Sequence, residues 1–189
     1  YYEHGEAFPV RGKSCSSQQI PSIGEKFDTY EKFGNSDLFD IYGPSLDDAM
    51  NLQAKTFASA YIENLGDGSF KWKTLPSLAQ SSSVNSILTG DYNGDGHKDL
   101  LISGNLYQSE IETPRNDAGT GLLLMGDGKG NFNAVSVEES GFFAPFDAKD
   151  MKSISVGQRE VILVANNSYY LQAIEFTPIV SKDISISAL

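Results

Sequence analysis

The stretch Asp91-Tyr92-Asn93-Gly94-Asp95-Gly96-His97-Lys98-Asp99 decides how the rest of the chain is interpreted. Calcium takes six to eight oxygen ligands, and a tight loop with glycines at its bends can wrap that many around one ion. Magnesium fits less well, and the lack of thiol or imidazole ligands argues against zinc or copper. Oxygen donors fall at alternate positions here, and they predict one Ca²⁺ site formed by Asp91, Asn93, Asp95, His97 (through its backbone carbonyl) and Asp99.

The flanks of this loop separate it from helical calcium motifs. An EF-hand requires a bidentate Glu at its twelfth loop position, which is Ile102 here, and a helix on each side. Residues 84–89 and 100–102 instead predict strands, and no second copy of the loop indicates a dockerin. A calcium loop between two strands, closed by an Asp at its ninth position, resembles the FG-GAP/VCBS repeat of β-propellers. The alternative is an Asx-rich hairpin turn that binds no metal.

Composition excludes several classes of protein. The net charge of −11 argues against nucleic-acid binding, because phosphate contacts need a basic face. Cys15 is the only cysteine, so no internal disulfide can form, and we expect its thiol to be packed or unreactive. The sequence shows no apolar run long enough for a membrane span and no signal peptide. Because it begins with Tyr1, we expect a processed or partial product whose targeting segment lies elsewhere.

The N-terminal part of the chain predicts two segments. Residues 1–26 are predicted to be irregular and to form the end of a preceding blade. Residues 27–53 are predicted to form a short helical insert. Asp28 and Thr29 can cap a first helical turn, and Ser36 a second. Ser45 with Asp48 is close to a capping box and predicts a third helix, with Leu46 and Met50 facing inward. We expect this insert to pack on the sheets and not to form a separate domain.

Residues 54–189 contain a repeat. Gly66-Asp67-Gly68 and Gly126-Asp127-Gly128 each lie between two predicted strands, as hairpin turns require. Phe70 and Phe132 are 62 residues apart, and Asn105 and Asn166 are 61 apart, so two independent landmarks agree. The pattern predicts a four-stranded unit used twice, about two propeller blades. In the second unit, residues 147–150 lack the alternating oxygen donors of the loop at 91–99, so we predict one calcium ion and not two.

A more specific resemblance rests on the order of several segments: RGKSCSSQQIP, KFDTYEKFG, YIENLGDGSF, LPSLAQ, GDYNGDGHKDLLISGN, RNDAGTGLLLMGDGKGNF and SGF. From about Arg11 to Glu175 the chain resembles the C-terminal part of Bacteroidetes FG-GAP/VCBS-repeat proteins of the ASPIC/UnbV (cartilage acidic protein-like) kind. The resemblance implies a mainly β fold, a calcium-supported β-propeller that is exported or anchored at the outer-membrane surface as a lipoprotein. It also implies a link to SusC/SusD-type nutrient uptake complexes.

Two blades cannot close a ring, since propellers need at least about four. We therefore expect the remaining blades to come from the same polypeptide or from another protein chain. The predicted function is a non-catalytic, calcium-stabilised scaffold or binding module in an extracellular or outer-membrane-surface assembly, connected with glycan or peptide uptake.

Two other classes of function stay open. A carbohydrate-binding module would use aromatic stacking surfaces, and the candidates are Trp72, Tyr92, Tyr107, Tyr169 and Tyr170. A glycan-active enzyme would need a carboxylate pair, and none stands out from ordinary surface charge. The His97 imidazole is the one group near the loop that could still act in catalysis. The polar segment Arg115–Gly119 has no assigned role, and we favour a structural turn with an internal ion pair.

Overall fold

The computed structural model describes residues 1–111 and 113–176, so the last part of the predicted repeat region lies outside the described residues. The chain divides into two compact units, one spanning Tyr1–Lys55 and one beginning at Thr56. The fold is mainly β and consists of several small sheets. No helix in the described ranges is long and apolar enough to cross a membrane.

The first unit combines a small hairpin with short helices. Its elements are β1 (Tyr2–Glu3), β2 (Glu6–Ala7), α1 (Lys13–Gln19), α2 (Pro21–Lys26), α3 (Tyr30–Gly34), α4 (Leu38–Tyr42) and a 3₁₀ helix at Gly43–Leu46. Ile23, Phe27, Phe33 and Ile41 form its buried core. Four apolar side chains, from α2 and the residue that follows it, α3 and α4, thus give this unit a core of its own.

Local hydrogen bonds set where α3 and α4 begin. Thr29 caps α3 as predicted, because its hydroxyl accepts a bond from the Lys32 amide at 3.1 Å. The prediction for the next helix is wrong by one residue: Asp37, not Ser36, is the cap. The Asp37 carboxylate accepts from the Asp40 amide at 2.6 Å, and the Asp40 side chain accepts from the Asp37 amide. Ser36 instead donates its hydroxyl to the Lys32 carbonyl.

Three expectations for this region fail. Residues 1–26 are not irregular, since they hold a hairpin and two helices, with Pro21 in a first helical turn where its missing N–H costs nothing. The predicted helix from Ser45 is only the end of a 3₁₀ turn, and Met50 is 85% exposed. Its apolar stripe is too short to bury a face, and Pro44 starts a tight turn instead. Finally, the helices belong to a compact unit and not to an insert.

The described residues of the second unit form three antiparallel sheets. A two-stranded sheet joins β3 (Ala60–Asn64) and β4 (Phe70–Thr74). A four-stranded sheet has the order β5 (Ser86–Gly90), β6 (Asp99–Ser103), β7 (Leu122–Gly126) and β8 (Phe132–Val135). A three-stranded sheet joins β9 (Ala148–Val156), β10 (Arg159–Asn166) and β11 (Gln172–Phe176), with β10 in the middle. A 3₁₀ helix at Ser77–Gln80 and α5 (Val137–Ser140) lie in the connections.

The repeat recurs as hairpins, but the sheets are out of phase with it. The β3–β4 hairpin corresponds to β7–β8, and β5–β6 corresponds to β9–β10, as the sequence spacing predicts. The four-stranded sheet takes one hairpin from each repeat, because β6 pairs with β7 through Leu100↔Leu124 and Leu101↔Leu123. The prediction of two complete four-stranded blades is therefore wrong for the described residues. In sequence order they form a two-stranded, a four-stranded and a three-stranded sheet.

The two central strands of the four-stranded sheet, β6 and β7, are buried on both faces. Alternate side chains of a strand point to opposite faces. Leu101 and Leu123 on one face pack with Met151, Ile162 and Val164 of the three-stranded sheet. On the other face, Ile102 and Leu124 pack with Ala79, Leu75 and Val84 from the segment after β4. Burial on both faces explains the continuous apolar runs of β6 and β7.

Candidate calcium loop and its surroundings

The predicted calcium loop connects β5 to β6, between strands as expected. The Asp91 carboxylate lies inside the turn and accepts three backbone amides, from Gly94 at 2.8 Å, Asp95 at 3.1 Å and Gly96 at 2.9 Å. Gly94 and Gly96 have φ of 78° and 85°, a region that side-chain-bearing residues avoid. The glycines therefore allow the chain to turn its amides toward Asp91.

Asn93 and Asp95 are paired at the exposed rim of the loop. The Asn93 amide group donates to Asp95 at 2.8 Å, and its oxygen accepts from the Asp95 backbone amide at 3.0 Å. The His97 amide donates to Asp95 at 2.8 Å. The bond from the His97 amide, followed by the bond from Asn93, lowers the pKa of Asp95 below its ordinary value.

Asp99 has a different role from the other predicted ligands. Its side chain is fully buried, and its two oxygens accept the backbone amides of Tyr92 and Gly126, each at 2.8 Å. One carboxylate thereby joins the loop to β7. A Cβ at Gly126 would lie 2.1 Å from the Lys98 carbonyl oxygen, so only glycine allows this approach.

The His97 imidazole lies against the turn between β7 and β8. A Cβ built on Gly128 would come within 2.5 Å of its Nδ1 atom. The side chain that could have acted in catalysis is thus in contact with the glycine of the neighbouring hairpin.

The chemistry of the loop fits calcium, although its side chains are already hydrogen-bonded to one another and to the backbone. Carboxylate, amide and carbonyl oxygens are the donors that calcium takes. Each carboxylate oxygen has more than one lone pair, so accepting an amide does not exhaust it. Within residues 1–111 and 113–176, no cluster of three or more His, Cys, Asp or Glu side chains is arranged to hold a metal ion. Calcium binding therefore stays a prediction.

The sequence placed the counterpart of the loop in the second repeat at residues 147–150, but these lie at the start of β9 and make structural contacts; by strand order the counterpart is the turn Gly157–Gln158 between β9 and β10. Asp147 is buried and forms an ion pair with Lys149 at 2.6 Å, and it accepts from Asn167 at 3.1 Å. Asp150 accepts from the Ser86 hydroxyl of β5 at 3.1 Å. Of these two carboxylates, Asp150 connects the three-stranded sheet to the four-stranded sheet.

The turn between β7 and β8 is organised by Asp127. Its carboxylate accepts from the Asn131 side chain at 2.6 Å and from the backbone amides of Asn131 and Lys129 at 3.0 and 2.7 Å. These bonds, with that from the Asn131 side chain the strongest, lower the pKa of Asp127 from 3.8 to about 2. Asp67 makes the equivalent contacts with Ser69 in the turn between β3 and β4.

This arrangement predicts how the turn responds to acid. Because the pKa is depressed in the folded chain, the stabilisation by Asp127 is present above pH 4 or so and is lost as the pH falls toward about 2. We expect the Asp127 carboxyl carbon to titrate in NMR at a clearly lower pH than an exposed Asp without such bonds. Asn131→Ala should move the midpoint upward, and a wild-type midpoint near 4 would contradict the geometry.

The segment Arg115–Gly119 contains the predicted internal ion pair, but it forms an isolated β-bridge to Leu106 and not the predicted turn. Arg115 bonds to Asp117 at 3.0 Å, and its guanidinium lies 4.2 Å from the centre of the Tyr107 ring. Asn116 pairs with Leu106 through two backbone hydrogen bonds.

The proposed stacking aromatics do not form one surface. Tyr92 is buried in the core, where burial and then the charges of Glu160 and Asp99 raise its pKa to about 12, so it is no stacking platform. Tyr107 donates its hydroxyl to the Pro145 carbonyl. Tyr169 packs on Phe146 and Tyr170, and Trp72 is partly exposed on β4.

Sequence reasoning missed the polar centre of the second unit, which is Asn105. Its side chain is fully buried after β6 and bonds to Ser82, Gly119, Pro145 and Phe146. The only signal in the sequence was the spacing to Asn166, which marked the position as a landmark without indicating burial.

Residues 49–102 match the family profile of the FG-GAP-like repeat. The matched segment includes β3, β4, β5 and the predicted calcium loop, and it supports an FG-GAP/VCBS-repeat protein. No curated protein and no solved structure matches the chain. FG-GAP-like repeats are typically non-catalytic and usually occur in extracellular or surface proteins.

Proposed function

We propose that this chain is a calcium-stabilised, non-catalytic scaffold or binding module that is completed by further propeller blades in an extracellular or outer-membrane-surface assembly. The observation that carries the proposal is the open side of the β3–β4 sheet. In the described part of the chain β3 pairs only with β4, whereas its repeat counterpart β7 pairs with both β6 and β8. By this correspondence, β3 is missing a neighbour of the β6 type.

The outer face of the same hairpin supports this interpretation. Ile62 lies directly opposite Trp72, and Phe70 lies on the same face of β4. All three side chains are exposed by roughly half or more. The other face of the hairpin is occupied, since Tyr61 contacts Phe132 edge to face at 5.6 Å. Open strand edges beside apolar faces are usually covered in assembled proteins.

The finer assignment follows from the resemblance described above. A Bacteroidetes protein of the ASPIC/UnbV kind, exported as a lipoprotein and associated with a SusC/SusD-type outer-membrane complex, would use such a module for nutrient uptake. The covering blades would then come from the same polypeptide or from another protein chain.

Hydrogen exchange tests the open edge. We expect the outward amides of Tyr61–Glu63 to exchange quickly in the isolated chain and slowly in material purified with its native partners. The amides of Leu100–Ile102, which are paired on both sides, serve as the control and should be protected in both samples. Equal exchange of Tyr61–Glu63 in the two samples would contradict the proposal.

Calorimetry tests the calcium site. We expect one Ca²⁺ to bind at Asp91–Asp99, and Asp95→Ala to abolish binding, because one of the few carboxylate ligands is lost. Asp67→Ala is the matched control, since Asp67 lies in an Asx turn between strands without a ligand ladder, and it should leave binding unchanged. A wild-type chain that takes up no calcium at millimolar concentration would refute the site.

Assays of calcium binding and of glycan cleavage on the same samples test the non-catalytic role. The enzyme alternative requires that His97→Ala keeps calcium but removes a measurable glycan-cleaving activity. We expect no such activity in the wild-type chain.

A further inference from the structure

The turn between β10 and β11 exposes three large apolar side chains in a row. Tyr169, Tyr170 and Leu171 are 53%, 77% and 61% exposed. A run of exposed apolar residues is unfavourable in water and is normally kept only where it has a function. Turns are usually built from Gly, Asn, Asp, Ser and Pro, so the local backbone does not require these side chains. The turn is therefore a candidate binding site.

Hydrogen bonds hold the backbone of this turn in place. The Asn167 backbone amide donates to the Asp147 carbonyl at 2.9 Å, and its side chain donates to the Asp147 carboxylate at 3.1 Å. The Asn166 side chain donates to the Tyr170 carbonyl at 3.0 Å. These bonds flank Ser168, whose φ of 55° lies in the left-handed region that residues other than glycine rarely adopt. A turn fixed in this way presents its side chains in one orientation.

Ring contacts fix the two tyrosines. Tyr169 packs on Phe146 with 4.1 Å between the ring centres, and Tyr170 meets Tyr169 edge to face at 5.2 Å. The Phe146 carbonyl accepts from the buried Asn105 side chain at 2.9 Å, so this support extends to the core. Tyr169 is the one ring partner of Tyr170 among the described residues, which leaves at least one face of the Tyr170 ring open. A ring that is already held in place loses little conformational entropy on binding.

The chemistry of the turn favours a neutral ligand. Residues 165–172 contain no charged side chain, and the Asp147 carboxylate is buried and paired with Lys149. The face of an aromatic ring is partly negative and attracts the C–H groups of a pyranose ring. The hydroxyl groups of Ser168 and Tyr170 can donate and accept hydrogen bonds in the same turn. A glycan presents C–H faces and hydroxyl groups together, so it matches both features.

The size of this surface argues against a protein partner. Large apolar side chains bury about 200 Å² each, so three that are half to three-quarters exposed offer roughly 400 Å². A stable protein interface needs about 800 Å² from each partner. A short chain of sugar rings needs no enclosing pocket and can lie across the smaller area.

The turn stays accessible when further blades are added. Added strands extend a sheet at its edges or cover its faces, whereas this turn lies at the ends of β10 and β11. From the turn, β11 runs to Phe176, which pairs with Glu160 at the far end of the hairpin. The site therefore needs neither calcium nor a completed β3 edge.

We propose that the turn at residues 167–171 binds a neutral glycan chain, with the Tyr170 ring as the stacking surface and Tyr169 and Phe146 as its support. This names a ligand for the binding-module part of the proposed function, on which it rests. Failure of the glycan test leaves the hydrogen-exchange and calcium tests unaffected, because those concern β3 and the loop at 91–99. A Kd on the order of 0.1–1 mM is expected for one stacking ring and a few hydrogen bonds.

Titrations of the full chain followed by amide chemical shifts test the site. The neutral probes are maltohexaose, cellohexaose, xylohexaose and mannohexaose. Tetragalacturonate is the acidic glycan, and tetramethylammonium is a cation that binds aromatic faces. We expect at least one neutral hexasaccharide to shift the amides of residues 167–172. Tetragalacturonate should not bind more tightly, because residues 165–172 include no basic side chain.

Matched variants separate stacking from folding. Tyr170→Ala should weaken binding about five- to tenfold, whereas Tyr170→Phe keeps the ring and should change the Kd by less than about threefold. Tyr2→Ala is the control, because Tyr2 is 80% exposed but belongs to the first unit, and it should bind like the wild type. Tyr170→Ala should unfold at the wild-type urea concentration, since the Tyr170 side chain is exposed.

Three results would each overturn the proposal. The first is that no neutral hexasaccharide shifts these amides. The second is that tetramethylammonium or tetragalacturonate binds the turn more tightly than every neutral glycan. The third is that Tyr170→Ala binds like the wild type.

Discussion

Asn105→Ala is expected to lower the free energy of unfolding of the second unit by about 3–5 kcal/mol, near the upper limit for a single substitution. The Asn105 oxygen accepts from the Ser82 hydroxyl at 2.6 Å and from the Gly119 amide at 2.9 Å. Its amide group donates to the carbonyls of Gly119 and Phe146, each at 2.9 Å, and to that of Pro145 at 3.3 Å. Truncation would leave several buried backbone groups without partners, and each has a desolvation cost.

Asn166→Ala is the matched control, because Asn166 holds the corresponding place in the second repeat. Its side chain is half-buried, and its partners among the described residues are all within its own hairpin, namely Val164, Tyr170 and Gln172. We expect a loss of about 1 kcal/mol. Urea unfolding followed by tryptophan fluorescence, with Trp72 as the single reporter, measures both variants. Equal losses would mean that the network around Asn105 contributes no more than a local turn.

The Asn105 and Asn166 pair shows what the repeat could and could not predict. Their spacing located two equivalent turns, because local chain geometry repeats with the sequence. Burial, however, depends on what packs against each turn. Asn105 is bonded to Gly119 and to Pro145 and Phe146, which are 14, 40 and 41 residues away, and no local pattern encodes those contacts.

Hairpins were predictable for the same reason, and the sheets were not. A Gly-Asp-Gly turn between two apolar runs determines which strands are adjacent in sequence and in space. Whether β6 then pairs with β7 depends on an edge-to-edge contact across 18 intervening residues. That contact is favoured by the apolar side chains of Leu100–Ile102 and Leu122–Leu124. Because both segments are apolar at every position, the sequence does not indicate which residues pair.

The predictions for the N-terminal helices failed for a different reason. Short helices are stable only when their apolar faces are buried by tertiary contacts. Ile23 and Phe27 form a core with Phe33 and Ile41, although each helix presents only one or two apolar side chains. Leu46 and Met50 have the spacing of a helix face, but Met50 has nothing to pack against and stays exposed.

The prediction of the calcium ligands rests on alternation alone, because the donors lie within nine residues, and calcium binding itself stays a prediction. The partner that the sequence could not supply is Gly126, which is 27 residues away and donates its amide to Asp99. This long-range bond divides the predicted ligands into two groups. Asp91, Asn93 and Asp95 are bonded within the loop, whereas Asp99 holds the loop on the sheet.

Asp99→Ala is expected to destabilise the second unit by about 3–4 kcal/mol even in buffer with a calcium chelator. The buried amides of Tyr92 and Gly126 would both lose their acceptor, and no water reaches a side chain that is fully buried. Asp95→Ala in the same buffer should change stability little, because Asp95 is exposed and its bonds are local.

Unfolding with added calcium separates the stability that a bound ion contributes from the stability that the Asp99 hydrogen bonds contribute. A ligand that binds only the folded chain stabilises it by about 2.7 kcal/mol at a hundredfold excess over its Kd. The wild type should gain this increment, Asp95→Ala should not, and Asp99→Ala should start lower and gain little. If Asp99 acted only as a calcium ligand, Asp99→Ala and the wild type would unfold at the same urea concentration in chelator. That result would show that the bonds from the Tyr92 and Gly126 amides to Asp99 do not stabilise the attachment of the loop to β7.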